Sequence, residues 1–166
     1  MNIIPDTNVL VNMKEKFRNS VVSERIKREM AHIGLERLYN GLGIKSVVVE
    51  PLPSCIQRMN RLDFEKVYRE NKYHIPSKLK MKIDASLGVN NIKLAWELME
   101  MEMRRKKIPI ESWERRQERI ANDCSLISTG KTEEGEGRVI ITRDENLYNV
   151  CKALLGKDRC KRTLIV

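Results

Sequence analysis

Three short apolar runs, each closely followed by an acidic residue, are spaced along the chain between long stretches of helical periodicity. The runs are Asn2–Ile4 before Pro5, the segment IKSVVVE and the segment RVIIT. Short apolar runs rich in β-branched residues are typical of buried strands. Strands that alternate with helices predict an α/β fold, with a parallel central sheet of four or five strands and helices on both faces. The sequence TLIV at residues 163–166 is the fourth predicted strand.

The stretches between the predicted strands carry apolar residues at helical spacing. One helix is predicted from Thr7, and a second continues to the glycines at 41 and 43. The region 53–110 is predicted to be a longer helical segment, broken near residues 74–76 and 88. Two more helices are predicted at 109–130 and 144–155. The positions expected to face the core are Val9, Leu10, Met13, Phe17, Val22, Ile26, Met30, Ile33, Leu38, Leu94, Leu98, Met101, Trp113, Ile120, Cys124, Ile127, Leu147, Val150, Cys151 and Leu154.

The chain has 166 residues, of which 41% are hydrophobic, and this is enough for one domain covering residues 1–166. Its 32 Lys and Arg against 23 Asp and Glu give a net charge of +9, which favours a polyanionic partner such as nucleic acid or an anionic membrane face. No segment has the roughly eighteen apolar residues of a membrane span, and MNIIPDTNVL lacks the pattern of a leader. We therefore expect a cytoplasmic protein that does not enter a membrane.

Four cysteines lie at positions 55, 124, 151 and 160 without a C-x-x-C pair, so a structural zinc site is not predicted. Buried thiols are the expectation for a cytoplasmic chain. A hyperthermophilic source would be the exception, in which Cys151 and Cys160 would bridge. The content of 33% charged residues and only two Gln leans towards such a source.

Three acids share one placement, because each follows a predicted strand: Asp6, Glu50 and Asp144. Ligands of open parallel sheets bind at the carboxyl ends of the strands, so these acids are expected to converge on one crevice. Asp123 joins them from the helix before the third strand, at the edge of its apolar face. Neighbouring carboxylates repel one another unless a cation lies between them, and oxygen ligands suit Mg²⁺ or Mn²⁺. The sequence therefore predicts a divalent metal site that polarises a phosphate and activates water.

Each of these acids also has a purely structural explanation. An Asp before an apolar helix is a common N-cap, which fits Asp6 and Asp144, while Asp123 would be a helix-surface residue. Glu50 before Pro51 would be a solvated strand end. Capping and metal binding are compatible, and the joint placement of the four acids favours a site.

Four strings of the sequence resemble the four successive motifs of the PIN-domain nucleases: NIIPDTNVLV, IKSVVVEPL, NDCSLISTG and RVIITRDENL. Their order and separations are similar, and the resemblance runs from the first acid to the last and leaves out the helical middle. It implies a PIN-like three-layer α/β sandwich and a Mg²⁺- or Mn²⁺-dependent ribonuclease. The acids that would line its site are Asp6, Glu50, Asp123 and Asp144.

The resemblance also implies a division of roles. Glu50 would bind a second metal ion or orient the nucleophile, and the three aspartates would be the principal metal ligands. Asn8 and Thr142 would support these acids by hydrogen bonds. Arg143 and Lys131, which flank the acids in sequence, are candidates for contacting the substrate.

The predicted function is an endoribonuclease acting on RNA, and one form of it is the toxin of a toxin–antitoxin pair, with an antitoxin protein as partner. The family resemblance alone implies a homodimer. A nuclease of RNA processing or of structured DNA shares the same acids and would differ in the helical middle. A third hypothesis is a non-catalytic RNA-binding assembly module that keeps the PIN fold. The isolated His32 and His74 disfavour a histidine-dependent ribonuclease.

Overall fold

The structure is a computed structural model that describes residues 2–10 and 17–163. Its mixed arrangement of helices and parallel strands confirms the predicted α/β class. Among the helices of this described part, none is long and apolar enough to cross a membrane. The strands are β1 (Ile3–Pro5), β2 (Val21–Ser23), β3 (Lys45–Val47), β4 (Val139–Thr142) and β5 (Cys160–Arg162). The helices are α1 (Thr7–Leu10), α2 (Glu24–His32), α3 (Glu36–Gly41), α4 (Pro53–Asn71), α5 (Ser77–Gly88), α6 (Ile92–Arg105), α7 (Trp113–Gly130) and α8 (Glu145–Leu155).

The five strands form two parallel sheets. β4 lies between β1 and β5 in a three-stranded sheet, and β2 pairs with β3. β2 lies beside β1 without sharing a hydrogen-bonded ladder with it. The predicted single sheet of four or five strands is thus not formed by residues 2–10 and 17–163. β2 and β3 have three residues each, and strands this short contribute few ladder bonds.

The second predicted helix is wrong at its beginning, because Val22 lies in β2. The helix begins only after Ser23, whose hydroxyl accepts the N–H of Ile26 at 3.1 Å as an N-cap. The apolar pair before Ser23 is fully buried, so tertiary contacts rather than helical spacing decide its conformation.

The same predicted helix is also interrupted at Gly34. This glycine has a φ of 79°, and the N–H of Leu35 donates to the carbonyl of Met30 at 2.9 Å, which is the closing bond of a Schellman motif. Ile33, which was expected to face the core, is 51% exposed at this helix end. Met13 and the side chain of Leu38, also expected in the core, lie outside the described residues.

The predicted burial of IKSVVVE is wrong. β3 covers only Lys45–Val47, and Val48 is 84% exposed. β3 pairs with β2 alone, so it is an edge strand of its sheet and its residues are half-buried or exposed.

The helical middle of the chain follows the prediction closely. A 3-10 turn at 72–74 separates α4 from α5, and the chain breaks again between Gly88 and Ile92. α7 begins at Trp113 rather than Pro109 and ends at Gly130, as expected. The last strand begins at Cys160, three residues before the predicted TLIV, whose last three residues lie outside the described part.

The chain divides into two compact units. The first contains Met1–Ile56 and Ala121–Val166, and the second contains Gln57–Ile120. The core of the second unit surrounds Trp96, which packs its ring against Phe64 and Trp113 at centroid distances of 6.0 and 6.2 Å. Its other buried members are Val67, Tyr68, Ile75, Ile83, Ile92, Ala95, Met99 and Met103.

The face of α6 that packs in this core differs from the predicted one. Trp96, Met99 and Met103 are fully buried, whereas Leu94 and Met101 are 42% and 63% exposed. The prediction that the line of Leu94 and Met101 faces the core is therefore wrong. The aromatic contacts of Trp96 orient the helix instead, because an aromatic ring buries more apolar area than Leu or Met.

All four cysteines form disulfides. Cys151 pairs with Cys160 at a Cα–Cα distance of 6.2 Å, the pairing that the sequence left open. Cys55 and Cys124 form a second bond at a Cα–Cα distance of 5.8 Å and join the first turn of α4 to α7. The expectation of buried thiols is thus wrong, because these residues are buried as bonded pairs.

Replacing Trp96 by Ala should lower the free energy of unfolding by about 3–5 kcal/mol, because it removes a fully buried ring from the core of the second unit. Met101→Ala on the same helix should change it by less than about 0.5 kcal/mol, since that side chain is mainly exposed. Denaturant unfolding followed by far-UV circular dichroism measures both without relying on tryptophan fluorescence. Equal losses for the two variants would contradict the orientation of α6.

Candidate active site

The strands β1 and β4 bring two predicted site segments together at their carboxyl ends. They pair in parallel with Pro5 opposite Ile141, and the N–H of Asp6 continues the ladder to the carbonyl of Ile141 at 2.9 Å. Asp6 and Thr142 therefore leave the sheet side by side. Both side chains are buried, with 4% and 1% of their residue surface exposed.

The hydroxyl of Thr142 connects two of the predicted acids. It donates to Asp6 Oδ2 at 2.7 Å and accepts the backbone N–H of Asp144 at 3.0 Å. The other oxygen of Asp6 accepts the N–H of Thr7 at 2.7 Å. The carboxylate of Asp6 is thus held in one orientation by two donors, and the loop that carries Asp144 is tied to it.

Asp144 is the N-cap of α8. Its Oδ1 accepts the N–H of Leu147 at 3.1 Å, so the structural explanation of this residue holds. Its second carboxylate oxygen is not used by this cap, and the residue is half-buried rather than enclosed. Capping therefore leaves Asp144 able to contact a ligand.

Asn8 and Arg143 meet beside this pair. Asn8 Oδ1 accepts the backbone N–H of Arg143 at 3.4 Å, which is a long hydrogen bond. Asn8 thereby supports the loop between β4 and α8. The guanidinium of Arg143 belongs to a half-buried residue next to Asp144 in sequence.

Glu29 is a member of this acidic group that sequence reasoning missed. Burial raises the pKa of Asp6, the hydrogen bonds from Thr142 and Thr7 lower it, and the charges of Glu29 and Asp144 raise it again, to about 6. The charges of two neighbouring carboxylates thus act on Asp6. Glu29 lies between the fully buried Ile26 and Met30 on α2, and an acid at the edge of an apolar face was the available signal.

Two hydrogen bonds join α2 and the strand before it to α7. Asn122 Nδ2 donates to Glu29 Oε2 at 3.0 Å, and the hydroxyls of Ser23 and Ser125 are 2.7 Å apart. Asp123 follows Asn122 directly and is half-buried on the same helix. Asn122, which reaches Glu29 from α7, is thus the sequence neighbour of the predicted Asp123.

The structure does not join all the predicted residues. Glu50 is exposed in the loop between β3 and α4, and Lys131 is exposed in the turn after α7, about two helical turns beyond Asp123. Within residues 2–10 and 17–163, no group of three or more His, Cys, Asp and Glu side chains is placed to hold a metal ion. The expected convergence of Asp6, Glu50, Asp123 and Asp144 on one set of ligands is thus not observed.

The donor set fits a hydrated Mg²⁺ or Mn²⁺ better than a closed metal cage. Mg²⁺ keeps several waters and commonly takes one or two carboxylates together with substrate phosphate oxygens. Asp6 and Asp144, linked through Thr142, offer such a pair. The raised pKa of Asp6 is a second point of fit, because a cation would relieve the burial of its charge and the repulsion from Glu29 and Asp144.

Comparison of the chain with protein-family models, with curated proteins and with solved structures found no match. The chemistry of the site is therefore inferred from its own residues.

Asp6→Asn should make the protein more stable near pH 7.5 and have little effect near pH 4. The folded pKa of about 6 lies above the ordinary value of about 3.9, so the contribution of Asp6 to stability is complete at low pH and is lost as the pH rises through about 6. The expected gain is of the order of 1–3 kcal/mol. Thermal unfolding at both pH values measures it.

The exposed Asp158 provides a matched control, because Asp158→Asn removes the same charge without relieving a buried group. Its effect should be small and similar at the two pH values. A gain from Asp6→Asn that is equally large near pH 4 would mean that relief of buried charge is not its cause.

Proposed function

We propose that this protein is a metal-dependent endoribonuclease with a PIN-like three-layer α/β architecture. The observation that carries the proposal is the buried carboxylate of Asp6, which the hydroxyl of Thr142 links to Asp144 while the charge of Glu29 acts on it. Burying acids beside one another is unfavourable for folding, and perturbed carboxylates of this kind are characteristic of functional sites.

The position of this group in the sheet supports the proposal. From β1, the neighbouring strand β4 lies on one side, while β2 lies on the other without a shared ladder. The order of the strands therefore reverses between β1 and β4. In open parallel sheets, ligands bind in the crevice at the carboxyl ends of the strands where this reversal occurs. Asp6 follows β1 and Asp144 follows β4, so the two acids flank this crevice.

In the proposed mechanism, Asp6 and Asp144 would hold the metal ion, and Glu29 or Asp123 would orient the attacking water. When bound, a Mg²⁺ or Mn²⁺ ion polarises the scissile phosphate and lowers the pKa of an attacking water. Glu29 takes the place that the sequence assigned to Glu50, because it is Glu29 whose charge acts on Asp6.

The chain's own residues orient the reacting groups. Thr142 fixes one oxygen of Asp6 by its hydroxyl, and the N–H of Thr7 fixes the other. Asn122 holds the carboxylate of Glu29 through its amide. These hydrogen bonds maintain the carboxylates in place before substrate arrives, so little reorganisation is needed during the reaction.

Cationic residues are proposed to hold the RNA. Arg143 lies next to Asp144 and is the first candidate for a phosphate contact, with Lys131 as a second, more distant one. The net charge of +9 favours association with a polyanion and makes it dependent on salt. A cytoplasmic location, a homodimer and an antitoxin partner remain parts of the same proposal.

Glu29→Gln should reduce the rate of RNA cleavage by about 100-fold or more, whereas Glu50→Gln should reduce it by less than about threefold. The reason is that the charge of Glu29 acts on Asp6 while Glu50 is exposed in a loop. Cleavage of a labelled single-stranded RNA in Mn²⁺ or Mg²⁺ gives the rates, with EDTA and Asp6→Asn as negative controls.

The outcomes of this assay separate the hypotheses. Cleavage that persists in EDTA, or in Asp6→Asn, would contradict the metal mechanism. Cleavage of structured DNA in preference to RNA would favour the second nuclease hypothesis. Binding of RNA without any cleavage would favour a non-catalytic assembly module. Loss of activity in Glu50→Gln rather than Glu29→Gln would restore the sequence-based assignment.

A further inference from the structure

Tyr73 is the one exposed residue among the Trp, Tyr and Phe side chains of the described part of the chain. The chain has two Trp, four Tyr and two Phe, all of them within the described residues. Seven of these side chains are buried or half-buried, whereas Tyr73 is 79% exposed. It lies in the 3-10 turn Lys72–His74 that connects α4 to α5.

The ring of Tyr73 is not isolated in this turn. Its centroid lies 4.0 Å from the ring of His74, with an angle of 39° between the two planes. Lys72, which precedes it, places its ammonium 5.7 Å from the ring of Tyr68. Two adjacent aromatic rings therefore lie in this turn, and the lysine that precedes them places its ammonium over a third ring, that of Tyr68.

The C-terminal turn of α6 contacts this aromatic turn. The ammonium of Lys106 donates a hydrogen bond to the backbone carbonyl of His74. Lys106 belongs to four consecutive cations at 104–107, which we call the basic turn. Glu102 pairs with Arg105 at 2.6 Å and lies 3.7 Å from Lys106, and Glu100 pairs with Arg104 at 3.4 Å. Two carboxylates thus face four cations, and the basic turn keeps an excess of positive charge.

The unit that contains the basic turn also carries a net positive charge. Residues 57–120 contain 16 Lys and Arg against 10 Asp and Glu, so this unit carries +6 of the chain's net +9. Arg104 and Lys107 also border a pocket of about 300 Å³, whose other lining residues are Glu100, Ile108, Pro109 and Ile110. The basic turn thus lies next to an apolar hollow with one acid at its border.

We propose that the Tyr73–His74 pair stacks a base of single-stranded RNA while the basic turn contacts the adjoining phosphates. Exposed aromatic rings beside a cationic track are the means by which proteins hold single strands without reading a particular sequence, because every base has a π-face. Paired bases of a duplex are already stacked on one another and are closed to such a ring. The site therefore selects unpaired RNA, and it rests on the proposed function in that the substrate is RNA.

The test measures binding of a labelled, unstructured RNA oligonucleotide by fluorescence anisotropy in EDTA, so that cleavage does not interfere. Tyr73→Ala should weaken binding at least fivefold, and Tyr73→Phe should stay within about twofold of the wild type because it keeps the ring. Val89→Ala is the matched control, since Val89 is 77% exposed at the opposite end of α5, about 18 Å along the helix from Ser77. It should leave binding unchanged.

Salt dependence separates stacking from charge. An Arg104→Gln, Lys106→Gln double variant should lower the slope of log Kd against log salt by about 0.7 for each phosphate that the protein no longer neutralises, whereas Tyr73→Ala should leave the slope unchanged. Lys93→Gln, at the other end of α6, is the matched charge control. It should change the slope less than Arg104→Gln or Lys106→Gln alone. Circular dichroism establishes that each variant is folded.

Several results would overturn the proposal. These are equal binding by Tyr73→Ala and wild type, equal affinity for a duplex with the same dependence on Tyr73, or no binding of single-stranded RNA at all. Its failure is distinguishable from that of the nuclease proposal. Cleavage without dependence on Tyr73 would remove only the stacking site, and binding that depends on Tyr73 without any cleavage would remove only the catalytic assignment.

Discussion

The candidate site depends on the hydrogen bond between the hydroxyl of Thr142 and the carboxylate of Asp6, because this bond links the ends of β1 and β4. It joins residues 136 positions apart in the chain, and the same hydroxyl accepts the N–H of Asp144. Without that hydroxyl, Asp6 would be a buried carboxylate with one donor fewer, and an uncompensated buried charge is costly. The parallel pairing of β1 with β4 makes the contact possible, because it brings the carboxyl ends of two strands to one edge.

Positive and negative charges have separate tasks in this chain. Under the proposed function, the acids near Asp6 would repel RNA as well as one another, and a bound cation would relieve both repulsions. Lysines and arginines are in excess over the whole sequence and dominate residues 57–120. The proposed function therefore gives attraction of the RNA and chemistry at its phosphate to different side chains, and salt should affect the first more than the second.

The helix ends and breaks could be predicted from the sequence, because turn and capping residues determine them locally. The breaks between α4, α5 and α6, the end of α7 at Gly130 and the cap of α8 by Asp144 all follow from turn and capping residues. The meeting of Asp6 with Asp144 followed from one general property of parallel sheets. It needed no knowledge of side-chain packing.

Most of the failures involve contacts between distant residues. Glu29 was missed because its partner Asn122 lies 93 residues away, and nothing in the charged stretch around it marks that contact. Leu94 and Met101 have correct helical spacing, but the aromatic contacts of Trp96 turn α6 the other way. β2 was read as helix because a three-residue strand carries too few residues to show a period of two. The pairing of Cys55 with Cys124 likewise depends on where α4 and α7 lie.

The capping role of Asp144 affects how the site has to be probed. An alanine there would remove both a carboxylate of the proposed metal site and the acceptor for Leu147 N–H, so the loss of a ligand contact could not be separated from fraying of the helix. Asparagine caps a helix as well as aspartate does, and it differs in charge alone. Asp144→Asn is therefore more informative than Asp144→Ala, since it would keep the cap of α8 and remove only the negative charge that the proposed metal site needs.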